Sequence, residues 1–375
     1  MSWQPGKAGC QFLLRNISKG DKKGSLHFRP NGQCITLMEM QDEISKHILL
    51  LDGAMGTQIQ LLNLQEEDYR GDDFKDHPSS LKGNNDLLCI TRPHFIERIH
   101  LNYLEAGANI IETNTFNAQR ISLDDYGLTH IAYDLNVAAA KVAVNARNKF
   151  QQEHPNALPA FVAGAIGPTS KTCSLSPDVE RPEFRAVNYN ELKSAYREQV
   201  EGLLDGGVDA LLVETIFDTL NAKAAFHAIL DVLEDRNLSA ITKENPKGDI
   251  AIMASGTITD LAGRTLSGQT AAAFAVSLEH VPLFSIGFNC ALGAEQLLPQ
   301  VLALKAFTNA HLSAYPNAGL PNAMGGYDES AETFRDKIKP FLNQSQLRII
   351  GGCCGTSPAH IQALHSLIHN TSNND

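Results

Sequence analysis

One pattern recurs eight times from residue 48 onward, and it constrains the fold more than any other feature of the chain. Each time, a short apolar run rich in β-branched residues is followed by turn residues and then by a longer segment with helical spacing of apolar residues. The predicted strands cover residues 48–51, 109–112, 160–165, 210–214, 250–255, 283–289, 311–315 and 347–351. The predicted helices cover about residues 94–107, 131–150, 189–206, 219–235, 268–280, 295–308, 328–343 and 358–369.

Eight alternating units with nearly continuous apolar strands predict a closed parallel (β/α)8 barrel, the TIM barrel, with its helices outside. An open doubly wound sheet is the alternative that this pattern leaves. Residues 1–45 have no sustained period, and we predict that they form a flexible extension. Residues 46–370 are assigned to the barrel and residues 371–375 to a tail. In such a barrel the chemistry lies where strands end and the following loops begin.

The charge balance of the chain limits its partners. The 31 Lys and Arg residues against 42 Asp and Glu residues give a formal net charge of −11, so the surface should repel nucleic acid and anionic membranes. The sequence has no apolar stretch near the roughly 18 residues of a membrane helix, and its start lacks a long apolar signal core. We therefore expect a cytoplasmic protein with a small neutral or zwitterionic substrate.

Three of the seven cysteines lie at predicted strand ends. Cys290 ends the sixth strand, and Cys353 and Cys354 end the eighth, so all three sulfurs can meet at one barrel mouth. The glycines beside the adjacent pair allow the backbone to bend, which lets both sulfurs serve one metal. Three thiolates leave one tetrahedral position of zinc open, as in catalytic sites, and zinc favours ionisation of an incoming thiol. Buried small side chains or a strained vicinal disulfide are the structural alternatives.

Five motifs at the predicted strand ends resemble the homocysteine S-methyltransferase family. They are Leu51-Asp-Gly-Ala-Met-Gly-Thr57, Glu112-Thr-Asn-Thr-Phe116, Val213-Glu-Thr215, Gly287-Phe-Asn-Cys290 and Gly351-Gly-Cys-Cys-Gly355. The resemblance covers about residues 48–368. It implies a zinc-dependent (β/α)8 barrel that transfers a methyl group to homocysteine and so forms methionine.

Three further motifs resemble, within that family, the amino-terminal module of cobalamin-dependent methionine synthase. They are Ser255-Gly-Thr-Ile-Thr-Asp260, Gly263-Arg-Thr-Leu-Ser-Gly268, and Tyr315-Pro-Asn-Ala-Gly319 with Gly325-Gly-Tyr-Asp328. This resemblance implies a methyl group that comes from 5-methyltetrahydrofolate by way of methylcobalamin. The chain has no Asp-x-His-x-x-Gly pattern, which would place a histidine beneath cobalt. We therefore expect a cobalamin-binding module or protein as partner, and the chain is either a fragment of a longer synthase or receives the donor from a separate protein.

Two alternative functions stay open at this point. Family members that use S-methylmethionine or betaine as methyl donor would keep the same zinc site. A non-catalytic zinc module that only binds thiols is the alternative from another class. A Schiff-base lyase is disfavoured, because no predicted strand ends in a lysine.

Homocysteine also carries an ammonium and a carboxylate, and a selective pocket must satisfy both groups. Glu214 matches the family position that binds the amino end of the substrate, and Asp52 matches the family's Asp-Gly-Ala position. The backbone amides of Gly53 and Ala54 are candidates for the substrate carboxylate. The structural alternative is that Asp52 only caps a turn and that Glu214 pairs with a cation of the barrel.

Two asparagines complete the predicted site. Asn114, with Glu112, ends the second strand and either orients the substrate or binds other loops. Asn317 follows the seventh strand, between the two strands that supply cysteines, so we expect its amide oxygen to occupy the fourth zinc position until the substrate arrives. The acidic loop over about residues 58–93 covers the mouth, guides a partner module or is a solvated insertion.

Overall fold

The computed structural model describes residues 26–28, 34–36, 40–260, 262–343 and 346–372. Its centre is a ring of eight parallel strands. They are β1 Leu49–Leu50, β2 Ile110–Glu112, β3 Phe161–Ile166, β4 Ala210–Ile216, β5 Ile250–Gly256, β6 Ser285–Asn289, β7 His311–Tyr315 and β8 Leu347–Ile350. Consecutive strands from β2 to β8 pair in parallel, and β8 pairs with β1.

The ring closes between β1 and β2. Leu51 forms a parallel bridge with Ile110, the Asn109 amide donates to the Leu50 carbonyl at 2.7 Å, and the Asp52 amide donates to the Ile110 carbonyl at 2.9 Å. An open sheet would leave these two strands apart. The predicted (β/α)8 barrel is therefore confirmed, and the doubly wound alternative is excluded.

One principal helix of the outer layer follows each strand. These helices are α1 Pro93–Glu105, α2 Ala132–Glu153, α3 Tyr189–Gly206, α4 Thr219–Asp235, α5 Ala271–Ser277, α6 Ala294–Leu304, α7 Ala331–Ile338 and α8 Pro358–Ser372. Short helices lie at Met40–Lys46, Met55–Leu61, Glu66–Arg70, Leu88–Thr91 and Arg120–Leu123, and 3-10 turns at Asn85–Leu87, Asp124–Tyr126, Thr129–Ile131 and Lys339–Asn343. No helix in these parts of the chain has the length and apolar content needed to cross a membrane.

The remaining strands are short. Ala240–Ile241 pairs in parallel with the start of β5. Leu26–Phe28 and Cys34–Thr36 form an antiparallel pair that lies apart from the barrel sheet.

Alternation along the strands divides the core into two layers. Leu49, Ile110 and Leu212 belong to a cluster inside the barrel, whereas their neighbours Leu50 and Ile111 pack outward with the helices. Side chains of a strand point to alternate faces. The polar residues that end β2, β4, β5 and β6 at inward positions therefore gather at the carboxyl end of the barrel.

The opposite end of the barrel interior is closed by the helix Met40–Lys46. Met40 and Ile44 are buried in the inner cluster. The Arg348 guanidinium on β8 donates to the Ile44 carbonyl at 2.8 Å through Nε and to the His47 carbonyl at 3.0 Å. Because this end is filled, the cavity of the barrel opens only towards the loops that follow the strands.

Candidate metal and substrate site

The loops after the strands surround a cleft of about 760 Å³ at the carboxyl end of the barrel. Most of the residues predicted from sequence line it: Asp52, Gly53, Asn114, Glu214, Cys290, Cys353 and Cys354. Asn317 is 1% exposed, and its amide contacts Tyr327 of the cleft wall. The structure therefore brings all eight predicted residues to one end of the barrel.

The three cysteines lie side by side at the bottom of this cleft. Their sulfur atoms all lie within 4.8 Å of one another, and Cys290 Sγ is 3.5 Å from Cys354 Sγ. Within the described part of the chain, this is the one group of three or more Cys, His, Asp or Glu ligand atoms that comes so close. Such a spacing suits three ligands of a single ion.

Unusual backbone at two turns allows the sulfurs to converge. Cys290 and Ala291 both have left-handed backbone, with φ of 60° and 55°, which redirects the chain immediately after β6. In the other turn, Gly355 has φ of 80°, and a Cβ at this position would lie 2.3 Å from Tyr327 Cβ. Glycine is required there for both reasons, since other residues rarely adopt this φ and no space exists for a side chain.

Contacts among the three sulfurs shift the pKa values of the cysteines in opposite directions. Bonds from Cys290 and Cys353 lower the pKa of Cys354 to about 3, whereas the bonds to Cys290 and Cys354 raise the pKa of Cys353 well above its usual value. Asn289 Nδ2 also points at Cys353 Sγ, at 3.8 Å. The three sulfurs therefore resist joint ionisation without a metal. A divalent cation is the partner that would ionise all three.

Asn317 supplies a fourth donor of the right type. Its Oδ1 is buried and has no hydrogen-bond partner among the described residues, while its Nδ2 donates to the Tyr327 hydroxyl at 3.3 Å. A buried acceptor without a partner costs about 1–3 kcal/mol. Three sulfurs and one amide oxygen form a set that fits tetrahedral zinc, and a metal ion would satisfy this oxygen.

Three carboxyl groups line the same cleft as the sulfurs, of which Asp52 and Glu214 are buried and Glu112 is partly buried. Burial is the main cause that raises the pKa of Glu112 to about 7 and the pKa values of Asp52 and Glu214 well above their usual range, with further repulsion from Glu112. Asp52 Oδ2 accepts the Glu112 amide at 3.0 Å, and Glu112 Oε1 is buried without a partner. Buried carboxylates require a cation to be fully ionised.

The described part of the chain supplies no such cation. The lining of the cleft includes no Lys, Arg or His, and none of the ion pairs formed by described residues involves Glu214. The alternative for Glu214, an ion pair with a cation of the barrel, is not formed among the described residues. The arrangement instead suits the ammonium of a bound amino acid.

Of the two amides predicted to bind the substrate carboxylate, those of Gly53 and Ala54 after β1, one already has a partner. The Ala54 amide donates to Thr356 Oγ1 at 3.2 Å, so this amide already has a partner. A Cβ on Gly53 would lie 2.8 Å from the same Thr356 oxygen and 2.9 Å from Tyr103. Gly53 is thus needed for close packing of this loop, and of the two candidate amides only the Gly53 N–H is not engaged by another described residue.

Asn114 connects the cleft to the long loop before α1. Its Nδ2 donates to the Asn85 carbonyl at 2.8 Å and to Cys89 Sγ at 3.6 Å. Asp86, on the same loop, accepts the Asn117 amide at 2.7 Å, and burial raises the pKa of Asp86 to about 7. Residues 84–86 line the cleft. The loop is therefore a wall of the mouth and not a fully solvated insertion.

Three residues of the site were not identified as such from sequence. Tyr327 belongs to the Gly-Gly-Tyr-Asp motif, and Asn289 precedes a cysteine at a strand end, so both carried a positional signal. Asp86 follows Gly83-Asn-Asn and looks like an ordinary turn residue. Only the burial of its side chain in the structure distinguishes Asp86 from an ordinary turn residue.

Comparisons with known proteins point to one family. The chain matches the family described as homocysteine S-methyltransferase over residues 49–368. It is similar to the metallated form of the homocysteine methyltransferase MmuM from Escherichia coli, with 25% identity, a TM-score of 0.66, and coverage of 88% of this chain and 99% of that chain. The oxidized form of MmuM shares the fold at 24% identity and a TM-score of 0.66, with coverage of 88% and 98%.

Proposed function

Because the chain belongs to the homocysteine S-methyltransferase family, we propose that Cys290, Cys353 and Cys354 hold a zinc ion at which the sulfur of homocysteine is methylated to give methionine. The single observation that supports this most is the approach of the three sulfurs to within 4.8 Å at the barrel mouth. The chain is a methyltransferase, as its family implies. A cytoplasmic location belongs to the same proposal, since reducing conditions keep the sulfurs as thiols.

The residues around the sulfurs have separate tasks in this scheme. A zinc ion bound here supplies the positive charge that keeps the substrate sulfur ionised at neutral pH. Asn317 offers its buried oxygen in the absence of substrate and withdraws when the substrate sulfur enters. Asp52 and Glu214 receive the ammonium, and the Gly53 amide receives the carboxylate. These contacts fix the sulfur in one orientation towards the methyl donor.

We further propose that the methyl group comes from methylcobalamin on another module or protein. Several of the large apolar side chains that are exposed belong to segments that follow the strands β1, β3, β5 and β7, and exposed apolar groups are used in contact surfaces. Val179 is 97% exposed and Met324 is 95% exposed. The others are Leu61, Leu175, Leu266 and Leu320. A macromolecular carrier that docks here would cover them.

A second candidate function uses a small cationic donor, such as S-methylmethionine or betaine. The acidic lining of the cleft favours it, because the carboxylates of Asp86 and Asp125 remain after Asp52 and Glu214 have bound the substrate. A sulfonium or quaternary ammonium group would be attracted to such a wall.

The donor is tested by incubating the zinc-loaded chain with homocysteine and, in turn, free methylcobalamin, S-methylmethionine and betaine. We expect methionine from methylcobalamin. If methionine forms only with S-methylmethionine or betaine, the second candidate function is the correct one. No methionine from any donor, with zinc bound, would favour the non-catalytic thiol-binding module.

The role of the cysteines is tested with Cys353→Ala. We expect this variant to lose zinc and turnover together, since two sulfurs hold the ion far more weakly than three. Cys173→Ala is the matched control, because Cys173 lies outside the trio, and it should keep both. Full turnover by metal-free protein would contradict the proposal.

A further inference from the structure

Tyr327 connects two groups of the proposed zinc site. Its hydroxyl accepts a hydrogen bond from Asn317 Nδ2 at 3.3 Å, and its side chain lies against Gly355, the residue after Cys354. The same side chain thus contacts the turn that carries two sulfur ligands and the amide that supplies the fourth donor. The proposed function gives no task to Tyr327.

The bond to Asn317 determines which end of the amide is left without a partner. An amide has a donor end and an acceptor end, and only the oxygen can bind a cation. Because Tyr327 holds the nitrogen, Oδ1 is turned away from the phenol and stays buried without a partner among the described residues. Without the phenol, rotation of the amide by half a turn would present its nitrogen and remove the fourth ligand.

The loop around Tyr327 is closed by its own hydrogen bonds and packs against the turn of the adjacent cysteines. The Tyr327 ring lies directly against Gly355, next to the adjacent cysteines. Asn322 closes the loop on itself through Asp328 Oδ2 at 2.8 Å and the Gly326 amide at 2.9 Å. The Gly325 amide also donates to the Asn322 carbonyl at 2.9 Å. The loop thus has internal hydrogen bonds on the side of Tyr327 that lies away from Gly355.

We infer that Tyr327 is a positioning residue, which in the substrate-free protein turns the Asn317 amide so that its oxygen closes the fourth position of the zinc site. The inference rests on the proposed function, since it requires zinc on the three cysteines. Arrival of the homocysteine sulfur displaces the Asn317 oxygen, and the contribution of Tyr327 then ends. Tyr327 consequently stabilises the resting site and competes with substrate binding.

The test compares zinc-loaded wild type with Tyr327→Phe, in which only the hydroxyl is removed. Zinc release to a chromophoric chelator is followed with and without homocysteine, and homocysteine affinity is measured by titration. We expect release without homocysteine to be roughly tenfold faster in the variant, as for loss of one hydrogen bond to a site of this kind. Release with saturating homocysteine should be unchanged, and homocysteine should bind several-fold more tightly.

Two controls separate positioning from general damage. Tyr126→Phe removes the hydroxyl of another tyrosine that lines the cleft and should leave release unchanged. In an Asn317→Asp background both ends of the side chain are oxygen, so Tyr327→Phe should no longer accelerate release.

The outcomes distinguish this inference from the proposed function. A wild-type protein without bound zinc would overturn both. One zinc per wild-type chain with equal release rates in wild type and Tyr327→Phe would overturn the role of Tyr327 alone. So would a variant that binds homocysteine more weakly, because a merely structural role predicts damage to every bound state.

Discussion

At the scale of single residues, the cleft is defined by acidic groups that have no basic partner. Asp52, Asp86, Glu112 and Glu214 line it together, and no described Lys, Arg or His lies among them. Each is costly to ionise in this position because burial removes its water. The cost is understandable if a cationic group of a ligand completes the site.

The contribution of Glu214 is measurable through the substrate ammonium. Glu214→Gln removes the charge but keeps the shape, so we expect KM for homocysteine to rise roughly 10- to 100-fold, the worth of a hydrogen bond to a charged group. With 4-mercaptobutyrate, which lacks the ammonium, KM should hardly differ between wild type and variant. Steady-state kinetics with both thiols check this, and an equal rise of KM for both would show that Glu214 acts on something else.

The contribution of Asp86 is measurable through stability at different pH. Its pKa is raised by burial from 3.8 to about 7, so the folded protein holds a proton that the unfolded chain has lost between these values. The free energy of unfolding of the wild type therefore decreases as the pH rises from about 4 to about 7, because only the unfolded chain loses this proton there.

Asp86→Asn cannot lose a proton, so its free energy of unfolding should not decrease in this way. The difference in free energy of unfolding between variant and wild type should grow to at most about 4 kcal/mol above pH 7.

Urea unfolding of wild type and Asp86→Asn at pH 5 and pH 8 measures this advantage. Asp125→Asn, which removes an exposed carboxyl of the same cleft, is the matched control. A gain for Asp86→Asn that is equal at both pH values would mean that Asp86 is not protonated in the folded protein.

At the scale of elements, the turn after β6 carries strain where the first cysteine lies. Cys290 and Ala291 have φ of 60° and 55°, a region that costs residues other than glycine about 1–2 kcal/mol each. Neither residue type signals a left-handed turn, so the sequence could place Cys290 at a strand end but could not predict how its sulfur is directed. The geometry comes from the closed barrel around the turn.

Ala291→Gly tests this strain. We expect the variant to be more stable by roughly 0.5–1 kcal/mol, since relief of the left-handed conformation exceeds the entropy that glycine adds to the unfolded chain. Zinc content should not change. Ala306→Gly, at an exposed position without positive φ, should instead lose stability. Equal losses in the two variants, measured by urea unfolding, would show that the turn is not strained.

Element boundaries show what the chain alone can specify. The predicted helix over residues 328–343 is shorter in the structure, because Ser330 caps α7 Ala331–Ile338 and the segment with Pro340 continues as the 3-10 turn Lys339–Asn343. Both signals are local and could have been used. The loop before α1 is different. Glu66 fixes this loop by accepting hydrogen bonds from the Leu81 and Lys82 amides at 2.8 Å. A local sequence pattern does not predict contacts between residues so far apart in the chain.

At the scale of the whole molecule, the barrel itself follows from the repeated strand and helix pattern. The convergence of Cys290 with Cys353 and Cys354 then follows from the barrel, because strands β6 and β8 end at the same mouth. The partners of individual polar groups do not follow in this way. The bonds of Tyr327 and the burial of Asp86 depend on how long loops fold over the mouth, which apolar periodicity does not specify.

Zinc K-edge absorption of the purified chain, recorded with and without homocysteine, measures the number of sulfur ligands at the proposed site. Without substrate, we expect three sulfur ligands at about 2.3 Å and one lighter ligand, and with homocysteine we expect four sulfur ligands. A sulfur count that stays the same when homocysteine is added, or zinc bound mainly by nitrogen and oxygen, would rule out activation of homocysteine by zinc on the three cysteines.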